Sequence, residues 1–376
     1  MAKAKQVDGR GVPDTAVLAE MTVRKAPLHA RVREQLRELA LQQFEDGARF
    51  FSEPVLIERL GVSQGTIRRA MGDLAREGLL IRKVPLGTFV RKPAVRPLTV
   101  EIIMPQWESP FLMAILEQLS QRCRARKLSI RVHHTHGGES IEPALLQVGE
   151  SPTDSRVILL GETPQSARAL YAALSKRGYR VVNIDTLMPS CGDAYVGVDN
   201  DAGIRIGMDY LTHLGHRRIV LLVNEPIEAG NTRARIQAFE AYCRQAGLAG
   251  SRVVDCGLSF AGDSIKATVT GLEQVLALDP RPTAIFTVSD PGAWIVLRLL
   301  ADRDIRVPGA VTVLGFDDDR ASAFMLPALS SLAQPVAAIA KRALDLLLQE
   351  DPPHGMELLP PVLIKRGSTG PAPKAE

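Results

Sequence analysis

Between residues 28 and 44 the apolar side chains Leu28, Val32, Leu36 and Leu39 recur three or four positions apart, with Arg31, Arg33, Arg37 and Glu38 between them. That period predicts a helix with one buried face. Glu45-Asp46-Gly47 breaks it. A second, short helix is expected after Ser52, an N-cap residue type, with Pro54 tolerated in its first turn and Val55, Leu56, Ile57 and Leu60 as its apolar content. Gly61-Val62 reads as a tight turn. Ser63 then caps a third helix running to about Glu77, with Ile67, Ala70, Met71 and Leu74 inward, and Gly78 stops it. Residues 79–81 and 88–90, around Pro85-Leu86-Gly87, read as two short strands.

Beyond residue 97 the pattern changes to short apolar runs alternating with helix-length segments. The runs lie at 100–104, 130–133, 157–160, 181–184, 219–223, 284–287 and 311–315. Helical segments include 110–126, 167–177, 202–214, 232–246 and 292–302. Repeated βα units imply parallel sheets covered on both faces. So many units exceed one doubly wound sheet, so two lobes facing one another are expected, with a ligand cleft at the carboxyl ends of the strands. The fold class is therefore α/β, preceded by a small three-helix and hairpin domain. The expected division is a flexible arm over 1–25, the small domain over 26–92, a stiff Pro93–Pro97 linker over 93–97, and the two-lobed body over 98–376.

Composition narrows the class. With 376 residues, 45% of them hydrophobic and 23% charged, the chain suits two or three ordinary globular domains. No apolar run approaches the roughly 18 residues of a membrane span. The first 25 residues mix charges of both signs without an apolar stretch, so no secretory signal and a cytoplasmic location are expected. Cys123, Cys191, Cys243 and Cys256 are scattered, which suits buried thiols in a reducing compartment. The net charge of +4 is uneven: residues 1–97 carry 18 Lys and Arg against 11 Asp and Glu, the remainder 28 against 31. A basic small domain on a mildly acidic body suggests that one end meets a polyanion.

Three helices and a hairpin with this inner face make a winged helix-turn-helix. On its third helix Gln64, Thr66, Arg68 and Arg69 stand opposite the apolar face. Arginine reads guanine and glutamine reads adenine through paired hydrogen bonds in the major groove. Ser63 and the first amides of the helix suit a phosphate. The wing offers Arg82, Lys83, Thr88 and Arg91. The alternative is an ordinary solvated helix face. Gly61-Val62-Ser63-Gln64-Gly65 also matches the nucleophile elbow of hydrolases, but that motif needs a preceding strand, and here a helix precedes. The run from Leu60 to Ala70, with Glu77-Gly78-Leu79 and Gly87-Thr88-Phe89-Val90, resembles the GntR family of bacterial repressors. Two positions depart from it: Pro54 follows Ser52-Glu53 where the family usually has Arg, and Gln64 stands where Arg or a similar residue is usual, so the operator sequence does not carry over.

Strings in the body resemble the LacI/GalR-type effector domain, itself similar to periplasmic sugar-binding proteins. They are Val196-Gly197-Val198-Asp199-Asn200, His213 to Ile219, Arg235 to Phe239, Pro282 to Phe286 with Ser289-Asp290, Val313 to Asp318, Leu329 to Leu332 with Gln334-Pro335, and Arg366 to Thr369. The resemblance implies effector contacts at Arg235 and Asp290, with Gln106, Ser109 and Phe111 lining the other lobe and Asp185 a further candidate. It also implies lobes over about 98–187 with 314–330, and 192–311 with 332–366. A sugar suits carboxylate acceptors and an arginine fork. For Arg235 the bland alternative is a surface arginine, and for Asp290 a helix cap. Trp107 and Trp294 are candidates for stacking on a sugar or for core. His133, His134 and His136 are read as exposed histidines, Asp317-Asp318-Asp319 as structure and cleft lining, and no metal or cofactor is expected.

The reading that follows is a transcription regulator, expected to be a repressor. It would bind double-stranded operator DNA as a homodimer and respond to a small polar effector, a sugar or derivative. The rival is a solute receptor or enzyme with a basic accessory domain. A receptor needs export, and an enzyme needs a nucleophile, metal set or cofactor loop, none of which the motifs supply. A proline-bounded linker of five residues is too short for the hinge helix of LacI-type proteins, so ligand is expected to act by resetting the spacing of two winged domains.

Overall fold

The first apolar period folds as helix α1 (Leu28–Gln43), which buries Val32, Leu36, Leu39 and Ala40. It belongs to a computed structural model that describes residues 28–92, 98–106, 109–135, 141–149, 151–186, 192–259, 262–349 and 355–373. The arm, the 93–97 linker, Trp107, His136 and Cys191 lie outside these residues. The chain divides into two units, Met1–Arg96 and Pro97–Glu376.

In the first unit α1 is followed by α2 (Glu53–Leu60), α3 (Gln64–Arg76) and the strands β1 (Leu80–Lys83) and β2 (Gly87–Val90). The strands pair antiparallel with Arg82 opposite Thr88. Ile67, Ala70, Met71 and Leu74 of α3 close on Leu36, Leu39 and Leu56, and Phe44, Phe50 and Phe51 pack ring against ring at 5.0–5.8 Å. The turn works because Gly61 sits at φ +62° and donates its N–H to the Ile57 carbonyl. Ser63 accepts from the Thr66 amide at 3.3 Å and so caps α3. Ser52 occupies the cap position of α2 without a side-chain cap bond.

The second unit runs β3 (Thr99–Pro105), α4 (Pro110–Ala125), β4 (Ser129–Thr135), α5 (Glu142–Gln147), β5 (Ser155–Leu160), α6 (Pro164–Lys176), β6 (Val181–Ile184), β7 (Ala194–Val198) and α7 (Asn200–His213). It continues with β8 (Ile219–Val223), α8 (Gly230–Ala246), β9 (Arg252–Asp255), α9 (Ser264–Leu276), β10 (Ala284–Thr287), α10 (Asp290–Ala301), β11 (Thr312–Asp317), β12 (Ser330–Ala333), α11 (Val336–Leu348), β13 (Gly355–Leu359) and β14 (Val362–Ile364). Two six-stranded sheets result, ordered β13-β7-β6-β5-β3-β4 and β14-β12-β11-β10-β8-β9. Strand pairs are parallel except β12 with β14. Side chains alternate across each sheet as the pleat requires. In the first, Ile102 and Ile158 join the core under α4 and α11, while Ile103, Val157 and Leu159 join the one under α6.

The lobes divide differently from the expected 98–187 with 314–330 and 192–311 with 332–366. Strands β11 and β12 lie in the second sheet, and β7, α11 and β13 belong to the first. The reason is connectivity. β10, α10 and β11 form one βαβ crossover, which lays β11 beside β10 with Ile285 opposite Val313. Helix α11 carries Ile339, Ala340, Ala343 and Leu344 on one face, and these close on Leu112, Ile115 and Leu119. The chain therefore crosses between lobes after β7, after β12 and after β13.

His133 is the other correction. It is buried, with Nε2 at 2.8 Å from the Glu101 carboxylate and Nδ1 at 3.3 Å from the Gln147 amide oxygen. The pairing of β3 with β4 carries the inward-facing positions of both strands to one side, so His133 meets a buried acid that is distant in sequence. His134 is exposed. Among the described residues no group of histidines, cysteines and carboxylates is arranged to hold a metal, and no helix is long and apolar enough to cross a membrane. Cys123 and Cys256 are buried free thiols, and Cys243 is half-buried.

Candidate functional site

In the first unit the outer side of α3 and the hairpin carry polar side chains. Ser63, Gln64, Arg68 and Arg69 are exposed on the outer side of α3, and Thr66 is half-buried with its hydroxyl 2.9 Å from that of Ser63. Arg82 and Lys83 are exposed on β1, Thr88 is half-buried on β2, and the Lys83 ammonium lies 5.2 Å from the Phe89 ring. Glu53, at the start of α2, ties this face together. Its carboxylate accepts from Arg68 Nε at 3.3 Å and from Arg82 Nη2 at 2.9 Å. One side chain thus positions an arginine of the helix and an arginine of the wing, which lowers the ordering cost of using both.

In the second unit a cavity of about 370 Å³ opens where the strands of both sheets end. Ser109 and Phe111 line it from the start of α4, where Ser109 caps the helix by accepting from the Leu112 amide at 3.3 Å. Glu162 follows β5, and Asp185 and Thr186 follow β6. From the second lobe come Asn224 and Glu225 after β8, Asn231 and Arg235 of α8, Ser289 after β10, Asp317 at the end of β11 and Gln334 after β12. Side chains from strand ends, with loops free to vary, are the usual way such sheets build a ligand site.

Arg235 is only 2% exposed. Its Nε donates to Asn200 Oδ1 at 2.8 Å, its Nη1 donates to the Val288 carbonyl, and its plane stacks on Phe316 at 3.8 Å. The cavity also holds acids that burial keeps partly neutral. Asp185 is pushed up to about 6 by burial, with Arg235 opposing and Glu225 adding. Asp317 is raised well above the ordinary aspartate range by burial and by Asp290. Glu162 is pushed up to about 7 by burial, against a 2.6 Å hydrogen bond from Thr135. Asp185 and Asp317 also hold φ of +74° and +126°, which non-glycine residues seldom adopt. Strain of this kind concentrates at binding sites.

Two expected effector residues lie elsewhere. Gln106 is exposed and does not line the cavity; its backbone N–H donates to the Thr135 carbonyl at 3.0 Å. Asp290 is fully buried behind the cavity wall. Its Oδ1 accepts from Ser331 Oγ at 2.6 Å, and its Oδ2 accepts from Ser322 Oγ at 2.6 Å and from the Asp319 amide at 2.9 Å. Gly315 makes room: a Cβ there would lie 2.2 Å from Asp290 Oδ1. Asp290 therefore ties α10 to the loop after β11, and the acid facing the cavity is Asp317. Trp294 is likewise structural, donating to Ser322 Oγ at 2.9 Å from the core of the second lobe.

Sequence reasoning missed Glu162, Asn224 and Glu225. Each sits one or two positions past an apolar strand run, and that position is the signal that finds them. Three of the cavity's buried acceptors have no partner in the protein: Glu162 Oε2, Asn224 Oδ1 and Gln334 Oε1. Buried acceptors are costly to leave unmade, so the wall is built for a molecule rich in donors.

Comparison with known proteins finds a match for each unit. Residues 28–90 match the gntR family of bacterial regulatory proteins, and residues 208–369 match a periplasmic binding protein-like domain. The ribose operon repressor of Escherichia coli is 26% identical over 281 residues, which cover 72% of this chain and 82% of the repressor. A LacI transcriptional regulator from a Rhodococcus species has a TM-score of 0.62 at 25% identity, over 73% of this chain and 99% of its own. A LacI family regulator from Enterococcus faecium with bound ribose has a TM-score of 0.62 at 21% identity, over 73% and 99%, and shares the fold.

Proposed function

We propose that this chain, a gntR-type winged helix-turn-helix joined to a LacI-like, periplasmic-binding-protein-like domain, is a repressor whose hold on its operator is set by a sugar or sugar derivative in the cleft of the second unit. The observation that carries the reading is the cavity wall, where Arg235 and four acids meet three unpaired acceptors at strand ends. A polyol presents many donors in a small volume and meets that need. The relative named for the ribose operon and the related fold holding ribose support the same ligand class.

On the DNA side, α3 enters the major groove with Gln64, Arg68 and Arg69 toward base edges. Ser63 and Thr66 meet phosphate, and Arg82, Lys83 and Thr88 of the wing contact the flanking backbone. The protein acts as a homodimer, so that two winged domains engage a pseudo-palindromic site. It regulates by binding rather than by chemistry, with no cofactor.

Arg68→Ala is expected to weaken binding to the duplex upstream of its own gene by about 1–3 kcal/mol and to relax preference at one position. Fluorescence anisotropy on wild-type and singly substituted duplexes reads both effects. A uniform loss across all duplexes makes Arg68 a phosphate contact. No loss at all removes α3 from the DNA interface.

A further inference from the structure

The charge of the cleft goes further than its hydrogen-bonding need. Glu162, Asp185, Glu225 and Asp317 line it against Arg235 as the cation. Arg235 already spends Nε on Asn200 and Nη1 on the Val288 carbonyl, and it feels Asp185 and Asp317 together. One guanidinium cannot neutralise both acids and the two glutamates besides.

Glu162 stands furthest from compensation. It is 2% exposed, and it lines the cavity from the first lobe. Its Oε1 accepts from Thr135 Oγ1, and its Oε2 has no partner in the protein. Burial and that single hydroxyl are what set its proton affinity, and no cation enters. A neutral sugar hydroxyl placed on Oε2 satisfies a lone pair but does nothing for the charge the buried carboxyl takes on as it ionises, which is expensive in a low-dielectric wall. An ammonium group satisfies both at once, with three donors on a compact charge. Asn224 Oδ1 and Gln334 Oε1 then remain for hydroxyls of the same molecule.

We propose that the effector is a hydroxylated amine of the amino-sugar class, bound as an ammonium cation with its nitrogen on Glu162. This rests on the reading of the cleft as a sugar site and narrows its ligand. It also assigns Glu162 the choice between amine and neutral sugar.

The test is calorimetric titration of the full chain at pH 7.5 with glucosamine, galactosamine and mannosamine, each beside its parent sugar and its N-acetyl derivative. The expected result is that at least one amine binds ten-fold or more tightly than both its parent and its acetylated form. Glu162→Gln, which keeps shape and removes charge, should cut the amine's affinity at least ten-fold and remove most of its advantage over the parent sugar. The melting temperature of the unliganded variant verifies that it is folded. A parent sugar binding as tightly as its amine overturns the proposal while leaving the sugar-responsive reading intact. So does a Glu162→Gln variant that loses both alike. Silence from all nine compounds overturns the proposal, and if a wider panel of neutral pentoses and hexoses is also silent, the sugar reading fails with it.

Discussion

Asp290→Ala is expected to destabilise the second unit by about 3 kcal/mol, because it strands the Ser322 and Ser331 hydroxyls and the Asp319 amide in a closed interior. Each of those donors has the Asp290 carboxylate as a short-range partner, and the site is too tight for rescue by a neighbouring side chain, as the contact with Gly315 shows. Relief of repulsion on Asp317 returns part of the loss, since Asp290 is one of the groups that raise it. Asp290→Asn keeps one acceptor oxygen and should lose less. Urea denaturation of the three proteins measures this. A fully stable Asp290→Ala variant that has lost ligand binding would return Asp290 to the cavity wall.

Glu162→Gln is expected to change how stability depends on pH. The folded carboxyl is raised to about 7, against an ordinary 4.5 in the unfolded chain. Between those values the unfolded state gives up its proton while the folded state keeps it, so wild-type stability falls as pH rises. Below about pH 4.5 both states are protonated and no difference remains. Above about pH 7 the deficit levels off, at roughly 3 kcal/mol by the linkage of about 1.4 kcal/mol per pH unit. The variant lacks the titration. Without ligand it should match wild type near pH 4.5 and exceed it at pH 8. Denaturation midpoints at the two pH values decide it, and an offset of equal size at both would place the Glu162 carboxyl in an ordinary solvated environment.

The winged domain was legible because its signals are local. Gly61 at positive φ, Ser63 on the Thr66 amide and the Ile67–Met71–Leu74 face are each decided within a turn of helix. The parallel runs of the body were legible for the same reason, and 181–184, 219–223 and 284–287 fold with those bounds. β7, β9, β12, β13 and β14 were not among the runs. Ser330-Ser331 offers little apolar signal, and β13 is a partly exposed edge strand whose pairing to β7 depends on a chain crossing.

In the cleft, Ser109, Phe111, Asp185 and Arg235 line the cavity. Asp317 ends β11 and Asp290 opens α10 three positions after β10, so both stand at the carboxyl end of the same sheet. Which one faces the cavity depends on Gly315, whose missing side chain lets Asp290 fold behind the wall. Glu162 and Glu225 carry no periodic signature. Only their place just past a strand run marks them, and the fold then brings those strand ends from the two lobes to one cavity.

Because ligand and operator act on one equilibrium, each must change the affinity of the other by the same factor. Calorimetric titration of the effector into the full chain, first free and then saturated with its operator duplex, measures that factor directly. A sugar-controlled repressor predicts that effector affinity differs at least ten-fold between free and operator-bound protein, matched by an equal and same-signed change in operator affinity when effector is saturating. Identical effector affinity with and without operator would contradict it, because the cleft and the winged domain would then be uncoupled.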